Sequence, residues 1–139
     1  MFMPPRTTAA WQQASPLATR PAFEPVDVRE TSDGIALIRL PGYSSGDPRV
    51  AERYTSELHT KLADARPRAA CGWVLDLRDN TGGNMWPMIA GIGPVLGEST
   101  LGYFIDPTGA ESHWEFRDGA SWLDGNRVVT MPNPIRLRR

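Results

Sequence analysis

The residues best suited to chemistry lie close together in the segment 74–84, which reads Val-Leu-Asp-Leu-Arg-Asp-Asn-Thr-Gly-Gly-Asn. It holds Asp76, Arg78 and Asn80, followed by the glycine pair Gly82–Gly83. Adjacent glycines let a backbone approach a ligand closely, and successive N–H groups before a helix can bind an anion or an oxyanion. The segment predicts an anion-binding turn. A structural interpretation also stays open, in which the glycines only make a tight turn braced by an Asp76–Arg78 pair.

The elements on either side of this turn follow from apolar patterning. Residues 73–77 form a short, almost unbroken apolar run, which predicts a strand buried on both faces. Residues 85–96 are apolar enough for a helix that Asn84 can cap, although the glycines and proline near its end leave that end undefined. Sites in α/β proteins lie where a strand ends and a helix begins.

The preceding residues predict the rest of a crossover. Strands at 26–30 and 35–40 flank a Ser-Asp-Gly turn signal and form a hairpin. A helix follows over 48–65, with Asp47 as N-cap, Pro48 at its first position and apolar residues at spacings of three and four. Strand, helix and strand in this order predict a βαβ crossover.

After residue 100 the pattern changes to short strands at 101–105, 112–116 and 127–131, separated by Asp- and Gly-containing turns. We therefore predict an α/β fold with antiparallel β-hairpins on the C-terminal side. Residues 1–25 are rich in proline without periodicity and predict an extended arm, and residues 26–139 form the folded part. Unpaired strand edges are expected to favour self-association.

Composition excludes several classes. In 139 residues, 15 basic side chains face 16 acidic ones, so no net field attracts nucleic acid. One Cys excludes an internal disulfide or a multi-thiolate metal site, and two His leave little for a His-based one, so no metal or cofactor is expected. The sequence has no apolar run of membrane-spanning length, and nothing in it reads as a secretion signal. As written the chain would be cytoplasmic, but its compartment stays unknown at this point.

Other candidate side chains receive structural interpretations. His59 is expected at the surface or boundary of the helix, His113 in a hairpin strand, and Cys71 as a small buried thiol. Ser44 and Ser45 read as loop residues. Four tryptophans could line a groove for an extended peptide, but core packing is the simpler role; they are Trp73, Trp86, Trp114 and Trp122.

Two rival functions remain open at this point. In the first, Asp76 is the nucleophile or metal ligand of a haloacid dehalogenase-like phosphatase, but that chemistry needs a carboxylate two residues later, where this chain has Arg78. In the second, the chain is a non-catalytic peptide-binding module or a remnant.

The string Asp-Leu-Arg-x-Asn-x-Gly-Gly after an apolar strand resembles the signature of the tail-specific, or C-terminal processing, serine peptidases, which include tricorn core and retinoid-binding relatives. The strand 34–40 with its Pro-Gly-Tyr turn and the helix 48–65 are similar to the family's preceding elements, and the resemblance covers about residues 30–131. It implies a crotonase- and ClpP-like α/β core, a peptide or unfolded protein as substrate, and often an exported protein.

The same resemblance implies roles for the turn residues. A backbone N–H of Gly82 or Gly83 would be one donor of the oxyanion hole, with the choice between them open. Asp76, Arg78 and Asn80 would hold the turn as scaffold residues. The family's nucleophile lies in a Thr-Ala-Ser-like segment and its His base, where one is used, in a Gly-Asp-x-His segment.

Neither catalytic segment occurs in this sequence. Met3-Pro4-Pro5 resembles a stretch that follows the family's His, so the expectation is an internal piece of a peptidase domain that supplies the oxyanion turn and is inactive alone. Whether the base in the complete domain is Lys or His is left open.

Overall fold

The computed structural model describes residues 21–65, 71–131 and 133–137. These residues form two helices and seven strands in two sheets. The strands are β1 (Asp27–Glu30), β2 (Ile35–Arg39), β3 (Gly72–Asp76), β4 (Ser99–Ile105), β5 (Glu111–Arg117), β6 (Ala120–Leu123) and β7 (Asn126–Thr130). The helices are α1 (Pro48–Ala65), between β2 and β3, and α2 (Met85–Leu96), between β3 and β4.

The first sheet has the strand order β1-β2-β3. β1 and β2 form the predicted antiparallel hairpin, and β2 and β3 run parallel in a register that sets Arg39 opposite Asp76. α1 connects these two parallel strands, so the predicted βαβ crossover is confirmed. It brings the C-terminal end of β2 beside the turn that follows β3.

α1 begins and faces the core as its sequence predicts. The Asp47 carboxylate accepts a hydrogen bond from the Arg49 N–H at 2.9 Å. Pro48 lacks a backbone N–H, but in the first turn such a group would have no helical acceptor. Every third or fourth side chain is buried; these residues are Ala51, Tyr54, Thr55, Leu58, His59, Leu62 and Ala65. Together with Ile38, Leu40 and Tyr43 this face forms the main hydrophobic core.

β3 departs from its prediction. It spans residues 72–76 rather than 73–77, and it is the edge strand of its sheet. Val74 is 46% exposed and Leu77, just after the strand, is 50% exposed, so the expectation of burial on both faces is wrong for this chain. Apolar composition alone does not say what covers the outer face of a sheet.

α2 packs against α1 on one side and against the second sheet on the other. Asn84 caps it as predicted, with its side-chain oxygen accepting from the Trp86 N–H at 3.2 Å. The helix continues through Pro94 to Leu96, and two of its glycines let neighbouring side chains approach closely. A methyl group on Gly91 would overlap the Leu58 side chain, and one on Gly93 would overlap the Phe116 ring.

The second sheet is an antiparallel meander in the order β4-β5-β6-β7. Two turns close it with Asp-Gly pairs, 118–119 and 124–125, in which all four residues have positive φ. That geometry is the one that two-residue hairpins favour. The predicted hairpins are confirmed. The structure also contains β6, where the sequence predicts the turns at both ends but not the strand itself.

Candidate functional site

The turn after β3 is braced by an ion pair between Asp76 and Arg78. Arg78 Nη2 lies 2.6 Å from one carboxylate oxygen of Asp76, while Nε and the Arg78 N–H contact the other at 2.9 and 3.1 Å. The Asp76 side chain is only 12% exposed, whereas that of Arg78 is 85% exposed. The hydrogen bonds from Arg78 lower the pKa of Asp76 to about 2. Asp76 is therefore ionised and fully engaged, as a scaffold residue would be.

Asn80 ties the turn to the rest of the protein. Its side-chain amide nitrogen donates to the Leu40 carbonyl at 3.2 Å and contacts Met88 Sδ at 3.3 Å. Its side-chain oxygen accepts from the Gly82 N–H at 2.8 Å. One side chain thus connects the end of β2, the helix α2 and the glycine pair.

The glycine pair has a backbone that other residues adopt only with strain. Gly82 has φ +87° and Gly83 φ +118°. Gly83 forms an isolated parallel bridge with Tyr43, and the next residue, Asn84, donates its N–H to the Tyr43 carbonyl at 2.7 Å. A Cβ on Gly83 would overlap that carbonyl oxygen and lie 2.9 Å from its carbon. A side chain at this position is therefore incompatible with the observed contact.

The two glycine N–H groups differ in their partners. Gly82 donates to Asn80, as described above, and Asn84 donates to Tyr43. Within the described ranges, the Gly83 N–H makes no hydrogen bond, and the residue is exposed. Of the two predicted oxyanion donors, Gly83 is the one whose N–H is available.

A second ionic group at the turn was not predicted. Arg39, at the end of β2, pairs with Asp79 at 3.0 Å and with Glu24 at 3.2 Å. The pair joins residues 40 positions apart, so only the parallel pairing of β2 with β3 brings it together. It ties the turn after β3 to the end of β2 and to Glu24.

Two cavities flank the glycine pair. One, here called the Phe23 cavity, has a volume of about 490 Å³ and is lined by residues including Phe23, Gly42, Ser45 and Gly82. The other, here called the β7 cavity, has a volume of about 510 Å³ and is lined by residues including Ser45, Glu52, Asn84, Trp86 and Val128–Thr130. Ser45 lines both cavities, while Gly82 lines only the Phe23 cavity and Asn84 only the β7 cavity.

Of three other candidate side chains, sequence placed two wrongly and one correctly. His59 is 5% exposed, so the expectation of a surface or boundary position is wrong; its place in the i, i+4 series with Ala51 and Thr55 is the signal that could have shown this. Cys71 is exposed, so the expectation of a buried thiol is also wrong. His113 lies in β5 as expected, beside Glu111 and against the Tyr103 ring.

His59 has an unusual environment. Neither ring nitrogen makes a hydrogen bond within the described part of the chain, and burial lowers its pKa, an effect that the nearby backbone of Asn133 and Ala90 partly opposes. Pro94, four residues after Ala90, has no N–H to give that carbonyl its helical hydrogen bond. His59 is remote from the glycine turn and lines a separate cavity.

The serines near the turn do not form a nucleophile–base pair. Ser44 Oγ donates to the Ala22 carbonyl at 3.3 Å, and Ser45 Oγ accepts from the Asp47 N–H at 3.0 Å. In the part of the chain that is described, neither contacts a His or Lys side chain. The four tryptophans singled out by sequence are half-buried, and of these Trp86 lines the β7 cavity.

The described residues include no cluster of three or more His, Cys, Asp or Glu side chains that could hold a metal ion. Neither of the two helices formed by the described ranges has the length and apolarity needed to cross a bilayer.

A βαβ crossover that leads into a braced Gly-Gly turn, followed by a second helix and an antiparallel sheet, defines a mixed α/β protein. The sequence model of Peptidase family S41 matches residues 34–135, and the chain belongs to this family. The resemblance noted from the segment 74–84 is thereby confirmed at the level of the family.

Two similar proteins are each much longer than this chain. The chain is 26% identical over 90 residues to the Nisin-resistance protein of Lactococcus lactis subsp. lactis, a match that covers 65% of this chain and 27% of that protein. It is similar to the solved structure of a lipoprotein from Streptococcus agalactiae, with 33% identity, a TM-score of 0.57, and coverage of 65% of this chain and 30% of that one. The chain thus spans less than a third of the length of either relative.

Proposed function

We propose that this chain is part of a serine-type peptidase of the tail-specific kind, with a crotonase- and ClpP-like core, and that it supplies the oxyanion turn. The observation that carries the proposal is the Gly83 N–H, which is exposed and has no partner among the described residues, while its neighbours on both sides are engaged. A donor that is fixed in place and unpaired can stabilise the negative charge that develops on a carbonyl oxygen during peptide-bond hydrolysis.

The surrounding contacts support this role because they preorganise the donor. The Gly83–Tyr43 bridge, the Asn80 side chain and the Asp76–Arg78 pair hold the turn from three directions. A donor that is already oriented costs no reorganisation at the moment of reaction. We propose Gly83 as the donor, and Asp76, Arg78 and Asn80 as the residues that position it.

The proposal places the nucleophilic serine and its base in family segments that these 139 residues do not contain, so the chain alone should not hydrolyse peptides. The substrate of the complete domain would be a peptide or an unfolded protein. The name of the Lactococcus relative is compatible with action on a peptide, but that protein shares only a limited stretch with this chain.

The donor assignment can be tested by NMR with a product mimic. A short peptide with a free C-terminal carboxylate places an anion where the oxyanion would form, and its C-terminally amidated twin is the matched control. We expect the carboxylate peptide to shift the Gly83 amide proton downfield and to leave the Gly82 amide near its starting position. An equal response to both peptides, or a larger shift at Gly82, would contradict the assignment.

The catalytic part of the proposal has its own test. The purified chain is incubated with an unstructured fluorogenic peptide, with and without a serine-blocking reagent. We expect no hydrolysis. Hydrolysis that the reagent abolishes would show that a serine of this chain is the nucleophile and would overturn the division of roles proposed here.

A non-catalytic peptide-binding module is the second candidate, favoured by the two neighbouring cavities that share Ser45 as a lining residue. The nucleotide sequence on both sides of the coding region distinguishes the two. A Thr-Ala-Ser-like segment encoded nearby supports the peptidase, and its absence supports the module. The phosphatase reading of Asp76 has no such support, because Arg78 occupies that carboxylate.

A further inference from the structure

β7 presents a free strand edge to the cavity beside the glycine turn. β7 pairs with β6 on one side, and on the other side no strand of the described residues pairs with it. Val128, Val129 and Thr130 line the β7 cavity, and Val128 is 41% exposed. An unpaired edge offers a row of backbone N–H and C=O groups to which an extended peptide can add as a further strand.

The opposite wall of the cavity provides side-chain contacts. Trp86 and Pro87, at the start of α2, contribute apolar surface, and Ala51 adds a small residue from α1. An apolar side chain of a bound peptide would find contact area there. The cavity also reaches Asn84, the residue directly after Gly83, so a peptide in it leads to the turn.

The lining of the β7 cavity is acidic. Its lining residues include two acidic side chains, Asp47 and Glu52, and none that is basic. Asp47 caps α1 through the Arg49 N–H, so its carboxylate is already engaged. Glu52 is exposed, and its carboxylate makes no ion pair within the described ranges. It is the group available to a cationic partner.

We propose that the β7 cavity is a binding site for an extended peptide segment that pairs with the outer edge of β7, sets an apolar side chain against Trp86, and directs a Lys or Arg toward Glu52. This inference rests on the proposed peptidase function and specifies which peptides the site selects. Because Ser45 lines both the β7 and the Phe23 cavities, a segment bound in the β7 cavity would extend past the Gly83 turn toward the Phe23 cavity.

The first test measures charge selection with the 139-residue chain. Fluorescently labelled octapeptides of identical apolar sequence carry either two Arg or two Glu, and binding is followed by anisotropy at low and high salt. The Arg peptide should bind at least about fivefold more tightly at low salt, as expected for one or two exposed charge pairs, and salt should reduce the difference. Equal affinity for the two peptides would overturn the proposal.

Matched charge reversals on α1 then locate the effect. Glu52→Lys should weaken binding of the Arg peptide by about fivefold or more and strengthen binding of the Glu peptide. Glu57→Lys makes the same charge change on the same helix outside the cavity, and it should leave both affinities within about twofold. Equal effects of the two variants would show a general charge effect and refute the site.

Strand pairing is tested separately. Only every second backbone N–H of a paired peptide faces β7, so two Arg peptides are made, each N-methylated at one of the two alternating sets of amides. The peptide whose methylated amides face β7 cannot donate to it and should lose at least about tenfold in affinity. Amide resonances of Val128 and Thr130 should shift with the unmodified peptide. Unchanged β7 resonances, or equal affinity of both methylated peptides and their parent, would contradict the pairing.

The outcomes separate this inference from the function on which it rests. Charge-selective binding at β7 without any carboxylate-dependent shift at Gly83 supports the site and contradicts the oxyanion role. The shift at Gly83 without charge selection or β7 involvement supports the oxyanion role and refutes the site.

Discussion

Replacement of Gly83 by Ala should destabilise the fold more than the same replacement at Gly82. Both positions have positive φ, so each alanine costs about 1–3 kcal/mol in backbone strain. Only at Gly83 does the new methyl meet other atoms: it would overlap the Tyr43 carbonyl oxygen and lie 2.9 Å from its carbon, whereas at Gly82 nothing lies within 4 Å.

The difference between the two variants can be worked from that contact. To make room at Gly83, the segment containing Tyr43 has to move away, and the 2.7 Å hydrogen bond from the Asn84 N–H to the Tyr43 carbonyl is lost or lengthened. A backbone hydrogen bond contributes about 0.5–1.5 kcal/mol, and residual overlap adds to this. We expect Gly83→Ala to lower the free energy of unfolding by about 1–2 kcal/mol more than Gly82→Ala.

Urea unfolding followed by tryptophan fluorescence and by far-ultraviolet circular dichroism measures this difference. The two variants and the parent should show the same dependence on urea concentration, so that a shift in midpoint reports stability alone. If Gly83→Ala proved as stable as Gly82→Ala, the close approach of Gly83 to Tyr43 would be wrong as a determinant of this turn.

Three further predictions concern the scaffold of the site and the buried histidine. Asn80→Asp keeps an acceptor for the Gly82 N–H but sets a carboxylate against the Leu40 carbonyl, so it should lower the free energy of unfolding by about 1–3 kcal/mol, measured in urea. Because the pKa of Asp76 is about 2 in the folded protein and higher when unfolded, its contribution to stability should be complete above about pH 4 and be lost as the pH falls toward 2; melting curves of Asp76→Asn should lack this component, and an unchanged pH profile would contradict it. Burial lowers the pKa of His59, so the unfolded state binds its proton first and stability should decline as the pH falls below about 6.5; His59→Leu should remove this decline while His113→Gln retains it, and a decline that survives in His59→Leu would assign it to another group.

Local sequence signals predicted much of the fold. Asp47 and Pro48 mark the start of α1, Asn84 marks that of α2, and the Asp-Gly pairs mark the hairpin turns, since each acts through backbone geometry within a few residues. The β2–α1–β3 crossover followed from the order of these elements. Such features need no knowledge of distant parts of the chain.

Features that depend on distant contacts could not be predicted in this way. The exposure of Val74 depends on which strands and helices flank β3, and an apolar run carries no information about that. The burial of His59 depends on how α2 and the segment near Asn133 pack against α1. The Arg39–Asp79 pair joins the end of β2 to the turn after β3, 40 positions further along the chain.

Some features of the candidate site likewise followed from local sequence, and others required distant contacts. The segment 74–84 and its resemblance to a peptidase signature located the turn and its scaffold residues. The choice between the two glycines required the positions of Asn80 and Tyr43, because only these contacts show which N–H is occupied. The acidic character of the β7 cavity likewise appears only once α1 and β7 face each other across it.

The small residues of α2 have a consequence for the aperture of the β7 cavity. The cavity is lined by α1 and its preceding loop, by the first turn of α2 and by β7, and α2 packs against both α1 and the second sheet. The distance of α2 from α1 is set where Gly91 meets Leu58, and its distance from the second sheet where Gly93 meets Phe116. None of these four residues lines the cavity. A single methyl group added to either glycine would therefore alter the width of the cavity opening, while every residue that lines the cavity stays unchanged.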